Sequence, residues 1–306
     1  MISKVKYKDV SGLEISTEKI SATFLPSEGG KMSSLKLVDI NKEYMQEASG
    51  ETYRHLEYDG DYVSAECAGF DDMFPTIDPW FTDRPKRAGI EYNDHGEVCR
   101  LPWKYEVEND SIIMSVSSRN LSYNIKKIIT AHENTIKISY EIENLLDEPF
   151  DCLWAAHFML RSEEGGYLSI PVKKNGAAKI VFTQDEGIGK PGETIKIDEK
   201  EIYTVTPKIT SGINAFKYYV LDDMEDGWCK YTYPDKSSVT LSYDKEKVPY
   251  FGVWINNGSL KGMRNIALEP CTGAFDTPGA AIAGGKSGVI APMSTLSFDL
   301  NITLSD

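Results

Sequence analysis

Apolar and polar residues alternate with a period of two through much of this chain. Ile136, Ile138, Tyr140 and Ile142 are interleaved with Lys137, Ser139, Glu141 and Glu143. Val239, Leu241 and Tyr243 are interleaved with Thr240 and Ser242, and Leu296, Phe298, Leu300, Ile302 and Leu304 with Ser297, Asp299, Asn301 and Thr303. Successive side chains of a strand point to opposite faces, so each stretch predicts an antiparallel strand with one face in a core and one in water. Further strands are expected at Lys4 to Val10, Ile20 to Leu25, Ile112 to Val116, Tyr123 to Thr130, Thr194 to Ile197 and Lys217 to Leu221. Turn-forming residues separate them, at Ser27 to Gly30, Asn109 with Asp110, Asp147 to Pro149, Gly165 with Gly166, Gly187 to Gly192, Asp222 to Gly227 and Asn256 to Gly258. No amphipathic helical pattern beyond about 12 residues competes with this reading. The fold class is therefore all-β, most simply a large antiparallel β-sandwich. With no linker, low-complexity segment or fixed-period repeat, residues 1–306 read as a single domain.

One stretch does not alternate. From Gly69 to Trp103 the chain is rich in Pro, Gly, Asp and aromatic residues and follows neither the strand nor the helix period. It reads as a long ordered loop, because Phe70, Phe74, Trp80, Phe81 and Trp103 are too apolar for a disordered one, and loops of this length in compact domains are commonly functional. It is the expected wall of a binding site, and it holds His95, one of four histidines in the chain.

Composition narrows the partners. A formal charge of −14, from 47 acidic and 33 basic residues with no Lys/Arg run, argues against nucleic acid and against an anionic membrane. The first ten residues, MISKVKYKDV, lack the apolar core of a signal peptide, and no later run is long enough to span a bilayer, so a cytoplasmic location is expected. Five cysteines, widely spaced and never in a C-x-x-C pair, read as reduced thiols, mostly in the core, rather than as disulfides or a zinc site.

Two later segments carry candidate chemistry. In CLWAAHFMLR, Cys152 to Arg161, a strand would place Leu153, Ala155 and His157 on one face, with small Ala155 leaving room beside the imidazole. A lone histidine in an apolar run is more often a hydrogen-bonded core residue than a catalyst, and both readings stand at this point. In PYFGVWINNGSLKGMRNIALEPCT, Pro249 to Thr272, two strands are joined by a Gly-containing loop. Pro270 keeps Glu269 extended at a strand end, either as a solvated carboxylate or as a partly desolvated base with a raised pKa. His55 and His132 lie in polar surroundings and read as solvated. Asp71 and Asp72 suit a cation or a sugar hydroxyl, or simply solvate the loop, and Glu163 with Glu164 reads as a turn. There is no nucleophile elbow, no H-E-x-x-H, and no phosphate-binding glycine loop in a strand-to-helix context.

Taken in order, DHGEV (Asp94 to Val98), WAAHF (Trp154 to Phe158) and ALEPCTG (Ala267 to Gly273) resemble the aldose 1-epimerase, or galactose mutarotase-like, family, in a divergent bacterial branch. The similarity runs from about Ser27 to the C-terminus and includes Asn124 to Asn144 and Tyr250 to Trp254. The resemblance implies a β-sandwich whose open face binds a monosaccharide, with no cofactor and no metal, and interconversion of the α and β anomers of a free or phosphorylated hexose. It assigns Glu269 as general base on the anomeric hydroxyl, His157 as general acid on the ring oxygen, and His95 as a ligand of the sugar near that oxygen. A carboxylate and an imidazolium tuned toward neutrality would then exchange protons with the sugar. Asp72 and Trp254 complete the expected substrate contacts, with Trp80 and Trp103 as further surfaces for a sugar's apolar face.

Two positions depart from the family pattern. Asp72 stands where galactose mutarotases carry an arginine-containing segment, and His95 is followed by Gly96 and Glu97 rather than paired glycines, which leaves the sugar open. Arg84, Lys86 and Arg87 would suit a phosphorylated substrate. Alternative readings are a non-catalytic carbohydrate-binding or sensing protein, and a glycoside hydrolase or lyase using Glu269 with Asp71 or Asp72. A monomer or weak homodimer is expected.

Overall fold

The computed structural model describes residues 1–184, 187–197, 203–204 and 214–306. Among these, twelve strands form one antiparallel sheet and nine form a second, with two short two-stranded ribbons beside them. The predicted all-β sandwich is what the chain forms. The alternating segments become Thr135–Asn144, Ser238–Tyr243 and Thr295–Ser305, neighbours in the nine-stranded sheet, and their apolar positions are buried. Residues from both sheets, such as Phe24, Leu35 and Phe158 from one and Ile129, Ile138 and Leu300 from the other, share a single hydrophobic core. Each of these buried side chains contributes about 1.5–3 kcal/mol relative to exposure.

The expected first strand is in fact a hairpin. Lys8 adopts φ 53° and turns the chain between strands Ile2–Tyr7 and Val10–Ser16. The larger correction concerns Gly69 to Trp103, which is not wholly irregular. Phe70–Met73 is a strand in the middle of the twelve-stranded sheet, paired with Ala155–Arg161 on one side and touching Lys31–Leu37 on the other. All four of its residues are buried, so no polar face exists to produce alternation. Beyond it, Trp80–Phe81 pairs with Glu91–Tyr92 in a small ribbon, and Val98–Arg100 forms a 3-10 turn. All five cysteines are free thiols and four are buried.

Candidate active site

Four neighbouring strands of the larger sheet run in the order Phe70–Met73, Ala155–Arg161, Arg264–Cys271 and Tyr250–Asn257, followed by Ala215–Val220. The register that pairs Ala155 with Cys271 and Phe158 with Leu268 brings His157 and Glu269 to one level, with Asp71 opposite His157 and Gly252 opposite Glu269. The next level on the same face holds Met159, Ala267, Trp254 and Lys217. Small residues matter here. A Cβ on Gly252 would lie 2.9 Å from the Tyr219 ring and 3.2 Å from Glu269 Oε2, so glycine makes the space the carboxylate occupies.

Above these rows is a cavity of about 260 Å³, lined by His95, His157, Glu269 and Trp254 together with Lys217, Asp276, Met159 and Asn265. Its size suits one small molecule rather than a polymer. Glu269 is 1% exposed, and neither carboxylate oxygen has an aligned hydrogen bond within the protein. Lys217 Nζ does stand 2.7 Å from Oε2, an ion pair without hydrogen-bond alignment, and the same ammonium lies 2.7 Å from Asp276 Oδ1. Buried polar atoms are ordinarily satisfied, so a buried carboxylate facing a cavity in this state is set up for a ligand. Burial pushes the Glu269 carboxyl above its ordinary range, while Lys217 pulls it back. Burial alone would lower the Lys217 ammonium, yet Asp276 and Glu269 raise it, so this lysine stays charged.

His157, 7% exposed, differs from the expected imidazolium. Burial, then the neighbouring His95, Lys217 and Lys31, push its pKa well below the ordinary histidine value, so it is neutral near pH 7. Behind it lies Tyr62, whose hydroxyl donates to Asp71 Oδ2 at 2.9 Å and sits 3.4 Å from His157 Nδ1. Asp71 is in turn ion-paired with the buried Lys31. The Tyr62 ring stacks on His95 with centroids 4.0 Å apart and planes 13° from parallel, and meets His157 edge-on at 5.9 Å. One tyrosine thus contacts both histidines.

His95 reaches the cavity from a loop, at φ 58°. Left-handed backbone at a non-glycine residue persists only where the surroundings fix it. Here Arg100 donates to the carbonyls of Asp94, Gly96, Glu57, Tyr58 and Gly60, and Gly96 sits where a Cβ would meet Phe74 O at 2.4 Å. Asp94 Oδ2 lies 2.9 Å from His95 Nδ1 without hydrogen-bond alignment, an electrostatic neighbour only.

Several expected contacts lie elsewhere. Asp72 is corrected: its carboxylate turns to the opposite face, into the core, where it accepts from Trp154 Nε1 at 2.9 Å and Lys127 Nζ at 2.8 Å. Alternation along Phe70–Met73 sends Asp71 to the site face and Asp72 inward. Glu97 is also internal, accepting from the hydroxyls of Tyr58, Tyr123 and Ser118 and from Arg119 N. At the two departures from the family pattern, Asp72 therefore ties the strand Phe70–Met73, and Glu97 the loop beyond it, to the second sheet. Trp103 packs under Lys127, and Trp80 stacks edge-on against Tyr92, so of the three tryptophans only Trp254 lines the cavity. Arg84 is bidentate to Asp151, Lys86 pairs with Asp147, and Arg87 is held by Leu121 O and Asn144. His55 is exposed beside Glu28, and His132 lies on the surface. With Asp71 tied to Lys31 and Tyr62, and Asp72 facing away, no second carboxylate of that pair flanks a bond with Glu269.

Backbone comparison with solved structures places this architecture. A protein from Synechocystis sp. PCC 6803 matches with a TM-score of 0.71 at 16% identity, covering 98% of each chain. A galactose mutarotase-like protein from Clostridium acetobutylicum matches at 0.69 and 13% identity, over 100% of this chain and 98% of that one. The fold is the galactose mutarotase-like β-sandwich. A putative aldose 1-epimerase from Escherichia coli K12 has the same fold, with a TM-score of 0.66 at 12% identity over 100% and 99% of the two chains. No protein-family model matches the chain, and no curated protein matches it in sequence. Among the described residues, no helix is long and apolar enough to cross a membrane.

Proposed function

We propose that the protein is an aldose 1-epimerase acting on a free monosaccharide. The observation that carries this reading is the convergence on one small cavity of a buried carboxylate, Glu269, whose Oε1 has no partner and whose Oε2 is ion-paired with Lys217, and a buried imidazole, His157. Mutarotation asks for that pair. Glu269 accepts the proton of the anomeric hydroxyl as the bond between the anomeric carbon and the ring oxygen breaks, and the ring oxygen leaves as an alkoxide held by a hydrogen bond from the His157 N–H. Rotation of the open-chain aldehyde presents its other face, the alkoxide attacks it, and Glu269 returns its proton to the carbonyl oxygen as the ring closes on the other anomer. An imidazole whose pKa is depressed acts as a neutral hydrogen-bond acid toward a developing alkoxide, a role documented for histidine in other sites. Such acid–base groups each contribute on the order of a hundredfold to ten-thousandfold. His95 stands beside His157, ring centroids 5.7 Å apart, as a hydrogen-bond partner for the sugar, and Trp254 offers an apolar surface.

A free sugar is favoured over a phosphorylated one. Arg84, Lys86 and Arg87 are engaged away from the cavity. Of the lysines lining it, Lys217 is held between two carboxylates, which leaves the exposed Lys261, bonded to Ala65 O at 3.2 Å, as the one lining ammonium with donors to spare for a phosphate. The test is anomer exchange of a panel of aldoses and their 6-phosphates, followed by NMR saturation transfer. Glu269→Gln and His157→Gln are expected to remove the acceleration, and equal rates for wild type and Glu269→Gln would sink the proposal. Sugar binding without any acceleration would favour a carbohydrate-binding protein instead.

A further inference from the structure

Lys217 lies on strand Ala215–Val220, three strands away from that of His157, and has no part in the proton transfers described above. Its ammonium is buried, with the side chain 8% exposed, and sits between Glu269 and Asp276 at 2.7 Å from each. The far carboxylate is itself fixed. Tyr219, two residues along the same strand, donates its hydroxyl to Asp276 Oδ1 at 2.8 Å and to Phe275 O at 3.1 Å. The Asp276 carbonyl accepts from the amides of Ile77 and Asp78 at 3.0 and 2.7 Å, which ties the segment to the loop that carries His95. The arrangement is a fixed carboxylate, a cation held by it, and a second carboxylate that faces the cavity with no other partner.

We propose that Lys217 is a positioning residue, supplying the counter-charge that keeps the Glu269 carboxylate ionised and aimed into the cavity, with Asp276 and Tyr219 holding Lys217 in place. The inference rests on Glu269 being the base, and it deepens that reading by saying what makes a carboxylate buried to this degree usable as one. The groups facing Glu269 are His157 from one neighbouring strand, Lys217 and Tyr219 from Ala215–Val220 beyond the other neighbour, Cys271 on its own strand, and His95 and Asp276 from the two loops. Asp276 opposes ionisation of Glu269, and Lys217 is the principal group favouring it. Without the ammonium, burial and Asp276 act unopposed except by His95, and the carboxyl holds its proton to higher pH.

The experiment compares Lys217→Met and Lys217→Arg with the wild type. In anomer exchange, Lys217→Met is expected to lose tenfold to a hundredfold in kcat/KM at pH 7, with the acidic limb of the profile displaced to higher pH and activity recovering as pH rises. Lys217→Arg, which restores the charge, is expected to stay within several-fold of wild type with an unshifted limb. A substitution that merely loosened the fold would lower activity at every pH alike. The second readout does not depend on turnover: the ¹³C carboxyl signal of Glu269, assigned by its loss in Glu269→Gln, titrates at higher pH in Lys217→Met. If Lys217→Met does not fold, the double variant with Asp276→Asn leaves one unpaired carboxylate instead of two, and its Glu269 titration is expected to lie at higher pH than that of Asp276→Asn alone, since Asp276 itself opposes ionisation. An unmoved Glu269 titration overturns the inference. A moved titration in a protein that accelerates no aldose would uphold it and overturn the epimerase reading instead.

Discussion

Replacing Lys127 by methionine is expected to cost the protein about 3–5 kcal/mol of stability, the range for removing one partner of a buried ion pair. The reasoning starts from Asp72. Its carboxylate and the Lys127 ammonium are each 2% exposed and 2.8 Å apart, joining the middle of one sheet to the middle of the other through the core. Lys127 also donates to Gly30 O at 2.8 Å and lies 4.6 Å over the Trp103 ring, so methionine loses two hydrogen bonds and a cation–π contact. What remains is a carboxylate in a dry interior with the Trp154 indole N–H as its neutral donor. At an unfolding entropy of about 2.1 cal/mol/K per residue, the 306-residue chain loses roughly 1.6 °C per kcal/mol, so Tm is expected to fall by about 5–8 °C. The assay is thermal and urea unfolding of Lys127→Met, Asp72→Asn and the double variant. The double is expected to recover most of the loss, because a neutral pair carries no uncompensated charge. A single variant within 1 kcal/mol of wild type, or a double no better than the single, would refute the view of Asp72 as a core anchor and return it to the candidate substrate contacts.

Tyr62→Phe deletes only the hydroxyl that lies between Asp71 and His157 Nδ1, keeping the ring stacked on His95. It is expected to lower kcat about tenfold with little change in KM, and to alter the ¹⁵N tautomer shifts of His157; unchanged shifts would mean the hydroxyl does not orient that ring. His157 also predicts a pH dependence of stability. Its folded pKa is depressed, so below about pH 6.5 the unfolded chain binds a proton that the folded one refuses. Stability from this group is full above that pH and declines toward acid by up to about 1.4 kcal/mol per pH unit, ending at the folded pKa. Urea midpoints of wild type and His157→Gln between pH 7 and 5 should diverge accordingly, and parallel curves would contradict a neutral buried imidazole.

The sheets were legible where one face of a strand meets water. Thr135–Asn144 and Thr295–Ser305 alternate because polar residues on their outer face cost nothing, whereas Ile20–Leu25, buried along its whole length, is legible from its apolar run and the turn residues that follow it. Phe70–Met73 was hidden because both faces are buried: its two aspartates look like loop residues, and it takes Lys31 and Lys127, from 40 and 55 residues away, to make them core residues. Lys31–Leu37 was missed for a related reason, its lysine being buried under Asp71 rather than exposed.

The same physics separates the parts of the site that could be read in the sequence from those that could not. His95, His157 and Glu269 stand out because histidine and glutamate in apolar or glycine-rich settings are unusual, and their sequence contexts carry the family resemblance. Lys217, Tyr62 and Arg100 sit in contexts that look ordinary: a lysine between aromatics in a strand, a tyrosine in a polar run, an arginine after a cysteine. Their roles follow from pairings across the fold, Lys217 with residues 52 and 59 positions away and Tyr62 with one 95 away, which no local pattern encodes. One signal was nevertheless available. Phe216, Lys217, Tyr218 and Tyr219 place a lysine within an apolar strand, and a charged residue buried on both sides of its strand needs a partner of opposite sign. The carboxylate it meets across the sheet is Glu269, itself set in an apolar strand at Ala267 to Cys271. The two residues explain each other: a lysine is tolerated in that strand because a carboxylate lies across from it, and the buried carboxylate is held in its charged form by the lysine.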